Sequence, residues 1–406
     1  MMKINIYLVA FFFISFWGQS QNCDYVNPRF GVRNVKNIFL GTELDYRLLP
    51  DSLFVDIYYP VGDPEAKRPL VMLSFGGGFI GGARQDLAPL CEEFAKRGFV
   101  AATIDYRIGF DGISILATDS AEILRAGFRG AQDGKCALRY LKSRHLEDSI
   151  DLNRVWVGGV SAGSIVALAT AFLSRDEEKP KEAGMINPVG GRMRPDLGPI
   201  EGTRFVGTYD SKVQGVFNLF GALLNPENIE AGNQIAVMSY HQTEDPVVPC
   251  GAKKPYYGTP LVANNYPTAY GSCVIEQRLK DLNVDSKLHK TWIYKGTEHG
   301  IHNQVEVLNF FFEGANPILC NLVSKSDDLN QSADIHVYPN PFNDEIVVDG
   351  VASGSKYQLS DINGKTIIKG ILSPSMKIPS QTIVEGLYIL TFQEQNKLRS
   401  FKLSKI

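Results

Sequence analysis

Short apolar runs alternate along the chain with segments in which apolar side chains recur every three or four residues. Buried strands are predicted at the apolar runs, residues 70–75, 99–104, 155–157, 213–220, 235–240 and 287–294. Amphipathic helices are predicted at the periodic segments, residues 86–97, 130–142 and 162–173. Strands that alternate with helices form a parallel sheet covered on both faces. The middle of the chain is therefore predicted to be α/β.

Two further patterns flank this region. Residues 43–49 and 53–59 are strand-like on either side of Pro50-Asp51 and predict a hairpin. Residues 324–334 are polar without a hydrophobic period and are predicted to be a linker. After them, short alternating runs separated by turn signals such as Asn363-Gly364 are typical of a small antiparallel β-sandwich. Its predicted strands are residues 335–338, 345–348, 357–359, 366–368, 386–392 and 399–403.

The N-terminus has the pattern of an export signal. Lys3 precedes an apolar run at residues 6–17, and small or polar residues follow up to Ser20. A positive charge, an apolar core and a small-residue exit are the parts of a secretory signal peptide. The run has 12 residues, whereas a helix needs roughly 20 to cross a bilayer. Residues 1–20 are therefore predicted to be a signal peptide cleaved near Ser20, with no membrane span in the mature protein.

Composition excludes several classes of protein. Of the 406 residues 44% are hydrophobic and 38 are Gly, so the chain is too apolar to be disordered and too poor in glycine to be collagenous. The 41 Lys and Arg against 44 Asp and Glu give a net charge of -3, with no long run of one sign. Nucleic-acid binding needs a concentrated basic face, so nucleic acid is not an expected partner.

The six cysteines would meet an oxidising compartment in an exported chain. Cys250 and Cys273 bracket a loop rich in Pro, Tyr and Asn and are the best candidates for one disulfide. Cys91 shares a helical face with apolar residues and is expected to be a buried free thiol. No cysteine has the Cys/His spacing of a zinc site. Neither a metal nor an organic cofactor is implied.

The strongest chemical signal is Gly159-Val160-Ser161-Ala162-Gly163, which lies directly between a predicted strand and a predicted helix. A serine on such a sharp turn exposes its hydroxyl, and glycines are needed where strand and helix pass closely. A glycine-rich turn without chemistry is the alternative, but this position favours a nucleophile. Ser161 is therefore the candidate catalytic serine.

A serine nucleophile needs a base, and the base needs an acid that orients it. His299 follows the last predicted strand of the α/β region, where a loop would bring it over the carboxyl edge of the sheet. His302 is its rival. The acid is expected in the loop after the preceding strand, where Asp245 is the stronger candidate and Glu244 the alternative.

Acyl transfer also needs hydrogen-bond donors for the oxyanion. A run of glycines from Gly76 to Gly78 follows the first predicted strand of the α/β region, and glycines let backbone N–H groups approach a substrate closely. No Gly-Lys-Ser/Thr follows, so this run is not a phosphate-binding loop. The N–H groups of Gly77, Gly78 and Ala162 are the predicted oxyanion hole.

Together these motifs resemble the α/β-hydrolases of the carboxylesterase and lipase type that have an HGGG-type oxyanion loop. The resemblance covers about residues 30–320 and implies an α/β-hydrolase fold that hydrolyses carboxylic esters. Two positions depart from the family pattern, Phe75 where His is usual and Val160 where Asp or Glu is common. The residues that carry the resemblance are 76–79, Asp105-Tyr106-Arg107, Asp133, Ala137-Leu138-Arg139, Ser161, Asp245 and His299-Gly300.

The C-terminal unit contains four short motifs: Val337-Tyr338-Pro339-Asn340-Pro341-Phe342, Asp361-Ile362-Asn363-Gly364-Lys365, Gly386-Leu387-Tyr388 and Lys402-Leu403. In this order the motifs resemble a second family, the type A sorting domain of type IX secretion cargo. That resemblance implies the type IX machinery as a partner, export through the periplasm, and release or attachment at the cell surface. An unrelated, carbohydrate-binding sandwich is the alternative.

Residues 174–209 interrupt the α/β region with a segment rich in Gly, Pro and charge. An irregular insertion of this length in a compact domain is usually functional. Because it follows the helix after Ser161, we expect a lid or a substrate-binding insertion, with a plain surface loop as the alternative.

The sequence thus predicts a secreted serine esterase that acts on a small or polymeric ester. We expect a catalytic domain at residues 21–323 and a sorting domain at residues 335–406. The alternatives are a polyester or polyhydroxyalkanoate depolymerase, a plant-polysaccharide acetyl or feruloyl esterase, a serine peptidase, and an inactive surface adhesion protein.

Overall fold

The structure is a computed structural model, and it describes residues 23–207, 209–326, 336–349, 354–362, 364–372, 376–394 and 397–405. The predicted signal peptide at residues 1–20 lies outside the described residues. The last helix before the predicted linker runs to Ser326, so the first residues of the 324–334 segment are helical. The next described strand begins at His336.

An eight-stranded sheet forms the centre of the larger unit, in the order β1-β2-β4-β3-β5-β6-β7-β8. Its strands are β1 (Gly31–Leu44), β2 (Pro50–Val61), β3 (Arg68–Ser74), β4 (Val100–Ile104), β5 (Ile150–Val160), β6 (Gly215–Leu219), β7 (Ala236–Gln242) and β8 (His289–Tyr294). Strand β2 is antiparallel to β1 and β4, and every other pair is parallel. The predicted α/β class is confirmed.

Helices cover both faces of the sheet. They are α1 (Ala88–Ala95), α2 (Ser120–Ser143), α3 (Ala162–Phe172), α4 (Ser272–Asp281) and α5 (Gln304–Ser326), with single turns at His145–Asp148 and Pro260–Ala263. Trp156 of β5 packs in one apolar cluster with Phe94 of α1 and Phe312 of α5. The next residue, Val157, packs in a second cluster with Leu138 of α2. Because successive strand residues point to opposite faces, both faces of the sheet are buried.

Short elements lie in the connections. The short strands are Gly112–Ile113, Leu116–Ala117, Ile186–Val189, Arg192–Arg194, Ala222–Leu223, Ala252–Lys253 and Ala269–Gly271. The 3₁₀ turns are Arg84–Leu87, Asp176–Glu178, Lys181–Ala183 and Pro226–Asn228. In the part of the chain that the structure describes, no helix is long and apolar enough to cross a membrane.

The predicted hairpin exists, but its turn was predicted wrongly. The turn precedes Pro50, because Asp45 Oδ1 accepts hydrogen bonds from the N–H groups of Arg47 (2.7 Å) and Leu49 (2.9 Å). An aspartate that satisfies backbone donors two or more residues on fixes a turn. Pro50 instead begins β2, a position that proline tolerates.

Helix α2 begins at Ser120 rather than at residue 130. The Asp119 side chain caps its N-terminus by accepting from the Glu122 N–H at 3.2 Å, which is a standard start signal. Polar residues of α2 are buried under residues 174–209: Gln132 donates to the carbonyls of Leu197 (2.8 Å) and Pro199 (2.7 Å). This second buried face hides the amphipathic period of the helix.

The cysteines form two disulfides. Cys250–Cys273 is present as predicted, with a Cα–Cα distance of 5.1 Å. A second bridge, Cys23–Cys320, joins the beginning of the described chain to α5. Cys91 is buried and free, as expected, and Cys136 is the other buried free thiol.

The C-terminal unit consists of two antiparallel sheets, ordered β9-β10-β13 and β12-β11-β14-β15. Side chains such as Phe342, Ile346, Leu359 and Leu390 fill the space between them. The predicted β unit is confirmed, with one additional strand, β13. Its strands are β9 (His336–Tyr338), β10 (Glu345–Asp349), β11 (Lys356–Asp361), β12 (Thr366–Ile371), β13 (Met376–Pro379), β14 (Gly386–Glu394) and β15 (Lys397–Lys405).

Candidate active site

Ser161 lies on the sharp turn between β5 and α3, with φ at 56° and ψ at -122°. A non-glycine residue in this region is strained and is held only by its surroundings. A Cβ on Gly163 would overlap the Ser74 carbonyl, and one on Gly159 would overlap the Gly163 backbone. The glycines are therefore required by packing, as the sequence predicted. Ser164 braces the turn, since its hydroxyl donates to the Gly159 carbonyl at 2.9 Å.

His299 links the serine to the predicted acid. Its Nε2 lies 2.7 Å from Ser161 Oγ, and its Nδ1 lies 2.7 Å from Asp245 Oδ2. The ring rests edge-on against Phe220, with centroids 4.9 Å apart. In the sequence, Ser161 lies 138 residues before His299 and Asp245 lies 54 residues before it. The three side chains nevertheless form one hydrogen-bonded chain.

Asp245 is fully buried, and its Oδ1 accepts from the N–H groups of Val247 (2.8 Å) and Val248 (3.0 Å). Burial alone would raise the pKa of Asp245, but contacts with His241 and His299 and the Val247 hydrogen bond outweigh it and hold the pKa below its ordinary value. The carboxylate is therefore ionised and oriented toward the His299 ring.

The two alternatives, Glu244 and His302, lie outside the hydrogen bonds that join Ser161, His299 and Asp245. Glu244 is exposed. His302 Nδ1 lies 2.8 Å from the Tyr240 hydroxyl, and its ring stacks on Tyr294 with centroids 3.9 Å apart. Those contacts hold His302 in a separate aromatic cluster.

The predicted oxyanion loop lies against the serine turn. A Cβ on Gly76 would come within 3.0 Å of the Val160 carbonyl and 3.4 Å of Ser161 Cβ. Gly77 and Gly78 adopt φ values of 121° and 63°, which favour glycine. In the described residues, no acceptor is recorded for the N–H groups of Gly77, Gly78 and Ala162. Their role as oxyanion donors stays a prediction.

His241 is a buried neighbour of the acid that the sequence reasoning missed. It is 0% exposed, its Nε2 lies 2.8 Å from the Val248 carbonyl and 3.5 Å from Asp245 Oδ2, and its Nδ1 lies 2.9 Å from Ser272 Oγ. Asn218 in turn donates to Ser272 Oγ at 3.0 Å. The nearest sequence signal is that His241 is the penultimate residue of β7, the strand that precedes Asp245.

A small cavity of about 30 Å³ adjoins Ser161. Its walls are mostly apolar and include Phe79, Ile165, Leu224 and Tyr256. Among the described residues, none of 174–209 lines this cavity. The insertion therefore does not cover the serine pocket as a lid. Across the described chain, no cluster of three His, Cys, Asp or Glu side chains has the arrangement of a metal site.

One family model matches part of the α/β unit, and another matches the C-terminal unit. Residues 55–223, from β2 to just beyond β6, match the family model described as BD-FAE. Those residues belong to the BD-FAE family of α/β-hydrolases. The chain therefore carries a carboxylesterase-like serine hydrolase domain. The match includes Ser161 and the glycine loop and ends before Asp245 and His299.

Residues 336–405 match the family model of a secretion system C-terminal sorting domain. Such a domain marks the chain as a secreted or surface-attached protein. The predicted localisation is confirmed, while the predicted signal peptide remains a prediction.

Two relatives share part of the chain. A non-reducing polyketide synthase of Emericella nidulans is 32% identical over 123 residues, 30% of this chain and 5% of the synthase. Gut esterase 1 of Caenorhabditis elegans is 31% identical over 130 residues, 31% of this chain and 22% of the esterase. The matched part thus spans well under a third of either relative.

Solved structures of esterase 2 from Thermogutta terrifontis are also similar to the chain. The form phosphorylated by paraoxon has a TM-score of 0.45 at 19% identity, covering 68% of this chain and 94% of that one. The butyrate-bound form has a TM-score of 0.42 at 19% identity, covering 70% and 94%.

Proposed function

We propose that the protein is a secreted serine esterase that hydrolyses carboxylic esters through an acyl-enzyme. The observation that carries the proposal is the position of His299, hydrogen-bonded at 2.7 Å to both Ser161 and Asp245. Nucleophile, base and orienting acid within hydrogen-bond reach are the signature of an activated serine. The BD-FAE match around Ser161 and the similarity to Gut esterase 1 support an ester as the substrate.

In the first half-reaction, Ser161 Oγ attacks the ester carbonyl carbon and its proton passes to His299 Nε2. Asp245 accepts from His299 Nδ1 and stabilises the imidazolium that forms. The tetrahedral intermediate then collapses as the bond to the alcohol oxygen breaks, and His299 returns the proton to that oxygen. The products are the free alcohol and an acyl group on Ser161.

The negative charge of the intermediate lies on the former carbonyl oxygen. The N–H groups of Gly77, Gly78 and Ala162 are the proposed donors to it. Gly78 and Ala162 line the cavity at Ser161, which supports their role. Ala162 is the first residue of α3, so its N–H has no acceptor inside the helix and lies at the positive end of the helix dipole.

Water completes the cycle. His299 accepts a proton from a water molecule, and the oxygen attacks the acyl carbonyl. The second tetrahedral intermediate collapses with release of the carboxylic acid, while the proton returns to Ser161 Oγ. We propose that this chemistry takes place outside the cell, after the C-terminal domain has engaged the type IX machinery.

A matched set of variants tests this proposal with acetate and butyrate esters of p-nitrophenol. Ser161→Ala and His299→Ala are each expected to lower kcat by at least about 10⁴-fold. His302→Ala removes a histidine three residues from the proposed base and is expected to retain activity of the same order as the wild type. Equal loss in His299→Ala and His302→Ala, or full activity in Ser161→Ala, would contradict the proposal.

A further inference from the structure

A second cavity lies behind the one at Ser161. It has a volume of about 300 Å³, against about 30 Å³ for the cavity at the serine. Ile165 and Leu224 line both cavities. These two side chains therefore form the wall between them.

The two wall residues, Ile165 and Leu224, come from α3 and from the segment after β6. Ile165 lies on α3, one turn after Ser161, and is 6% exposed. Leu224 follows β6 and is half-buried. It packs against α2, where a Cβ on Gly127 would lie 3.2 Å from Leu224 Cδ1. Glycine at 127 thus leaves room for the Leu224 side chain.

The second cavity is lined by both apolar and charged side chains. Phe128 and Leu173 are among its apolar residues, and the insertion supplies Glu178, Lys179 and Pro180. The insertion at residues 174–209 lines this space rather than the serine pocket.

The serine cavity lies on the acyl side of the bond to be cleaved. Its lining includes Ser161, Gly78 and Ala162 but, among the described residues, not His299. The leaving alcohol receives its proton from His299 and so lies on the side of that ring. The part of the ester that remains on Ser161 occupies the other side, where the cavity is.

We infer that Ile165 and Leu224 restrict the acyl group to short chains, and that the 300 Å³ cavity is a latent pocket for the distal carbons of longer acyl groups. A water-sized group needs about 10–15 Å³ of such space, so the serine cavity admits roughly two groups beyond the carbonyl. This inference rests on the proposed esterase function. Truncation of Leu224 would join the two cavities.

The test is the chain-length profile of kcat/KM with p-nitrophenyl acetate, butyrate, hexanoate and octanoate. We expect the wild-type value to fall at least about tenfold from acetate to octanoate, because even one methylene that does not fit costs about that factor. Leu224→Ala is expected to raise the octanoate-to-acetate ratio about tenfold or more. Leu124→Ala is the matched control, since Leu124 lines only the second cavity, and it should keep the wild-type profile.

Leu224→Val keeps most of the side chain and should give an octanoate-to-acetate ratio between those of the wild type and Leu224→Ala. This smaller truncation keeps the test valid if the Ala variant does not fold. A wild type that prefers octanoate, or unchanged ratios in both Leu224 variants with native melting curves, would overturn the inference. Absence of any ester hydrolysis, together with no labelling of the wild type by a fluorophosphonate, would overturn the esterase function itself. The two failures are therefore distinguishable.

Discussion

The Tyr106 hydroxyl donates a 2.8 Å hydrogen bond to the Phe75 carbonyl, and the two rings stack with centroids 4.4 Å apart. Phe75 directly precedes Gly76, which contacts the serine turn. Burial raises the pKa of the Tyr106 phenol, so the hydroxyl stays a donor across the working pH range. The departure from His at position 75 therefore leaves the glycine loop supported, by a tyrosine from the loop after β4.

Tyr106→Phe tests this support. The substitution leaves the buried Phe75 carbonyl without its donor, which should cost about 1–3 kcal/mol of unfolding free energy. We expect kcat to fall about tenfold, because a small displacement of the oxyanion donors slows the reaction. Tyr58→Phe is the control, since the buried Tyr58 hydroxyl has no partner among the described residues. Equal kcat and stability in the two variants would argue against the role of Tyr106.

His241 is expected to act through Asp245. His241→Leu removes a contact that lowers the pKa of Asp245, so that pKa rises and the carboxylate is protonated at higher pH. In the pH profile of the free energy of unfolding, the acid-side decline should therefore move to higher pH, and His241→Gln, which keeps an N–H, should restore part of the shift. His289→Leu changes another buried histidine away from the site and should leave the profile in place. A His241→Leu profile that superimposes on the wild type would show that His241 only fills space.

Asp245→Asn should lower kcat by about 10⁴-fold, because the His299 ring loses the acceptor that sets its tautomer. The folded-state pKa of Asp245 is depressed, so its ionisation stabilises the folded state above the unfolded pKa of about 3.9. That contribution disappears as pH falls through the lower folded value. Melting curves should show the stability difference between wild type and Asp245→Asn at pH 7 and its decline below about pH 4. A difference that grows on acidification would contradict the depressed pKa.

Thiol labelling tests the disulfide pattern. Iodoacetamide should label no cysteine of the native protein, because Cys91 and Cys136 are buried and the others are bridged. Denaturation without reductant should expose those two thiols, and reductant should add the four bridged ones. Peptide mapping that pairs Cys250 with any residue other than Cys273 would contradict the structure.

Local signals in the sequence were sufficient to predict the turn at Ser161 and to select Asp245 and His299 as candidates. The strand, the Gly159-to-Gly163 motif and the following helix are contiguous, so the turn at Ser161 could be predicted directly. Asp245 and His299 each follow a strand of the parallel sheet, and carboxyl ends of parallel strands share one edge. Topology alone therefore brought them near the serine.

Features that depend on tertiary packing were not visible in the sequence. The Tyr106–Phe75 contact and the Cys23–Cys320 bridge join distant segments without a local pattern. Helix α2 buries its polar side chains under the insertion, so periodicity revealed only its second half. The two cavities and their shared wall arise from three separate elements, and no motif marks them.

The central claim is that Ser161 is a nucleophile activated by His299. Intact-protein mass spectrometry after incubation with a fluorophosphonate tests it most directly. The account predicts one adduct per wild-type chain, mapped to Ser161, no adduct in Ser161→Ala, and labelling slowed by orders of magnitude in His299→Ala. An unlabelled, folded wild type, or an adduct that persists in Ser161→Ala, would contradict it.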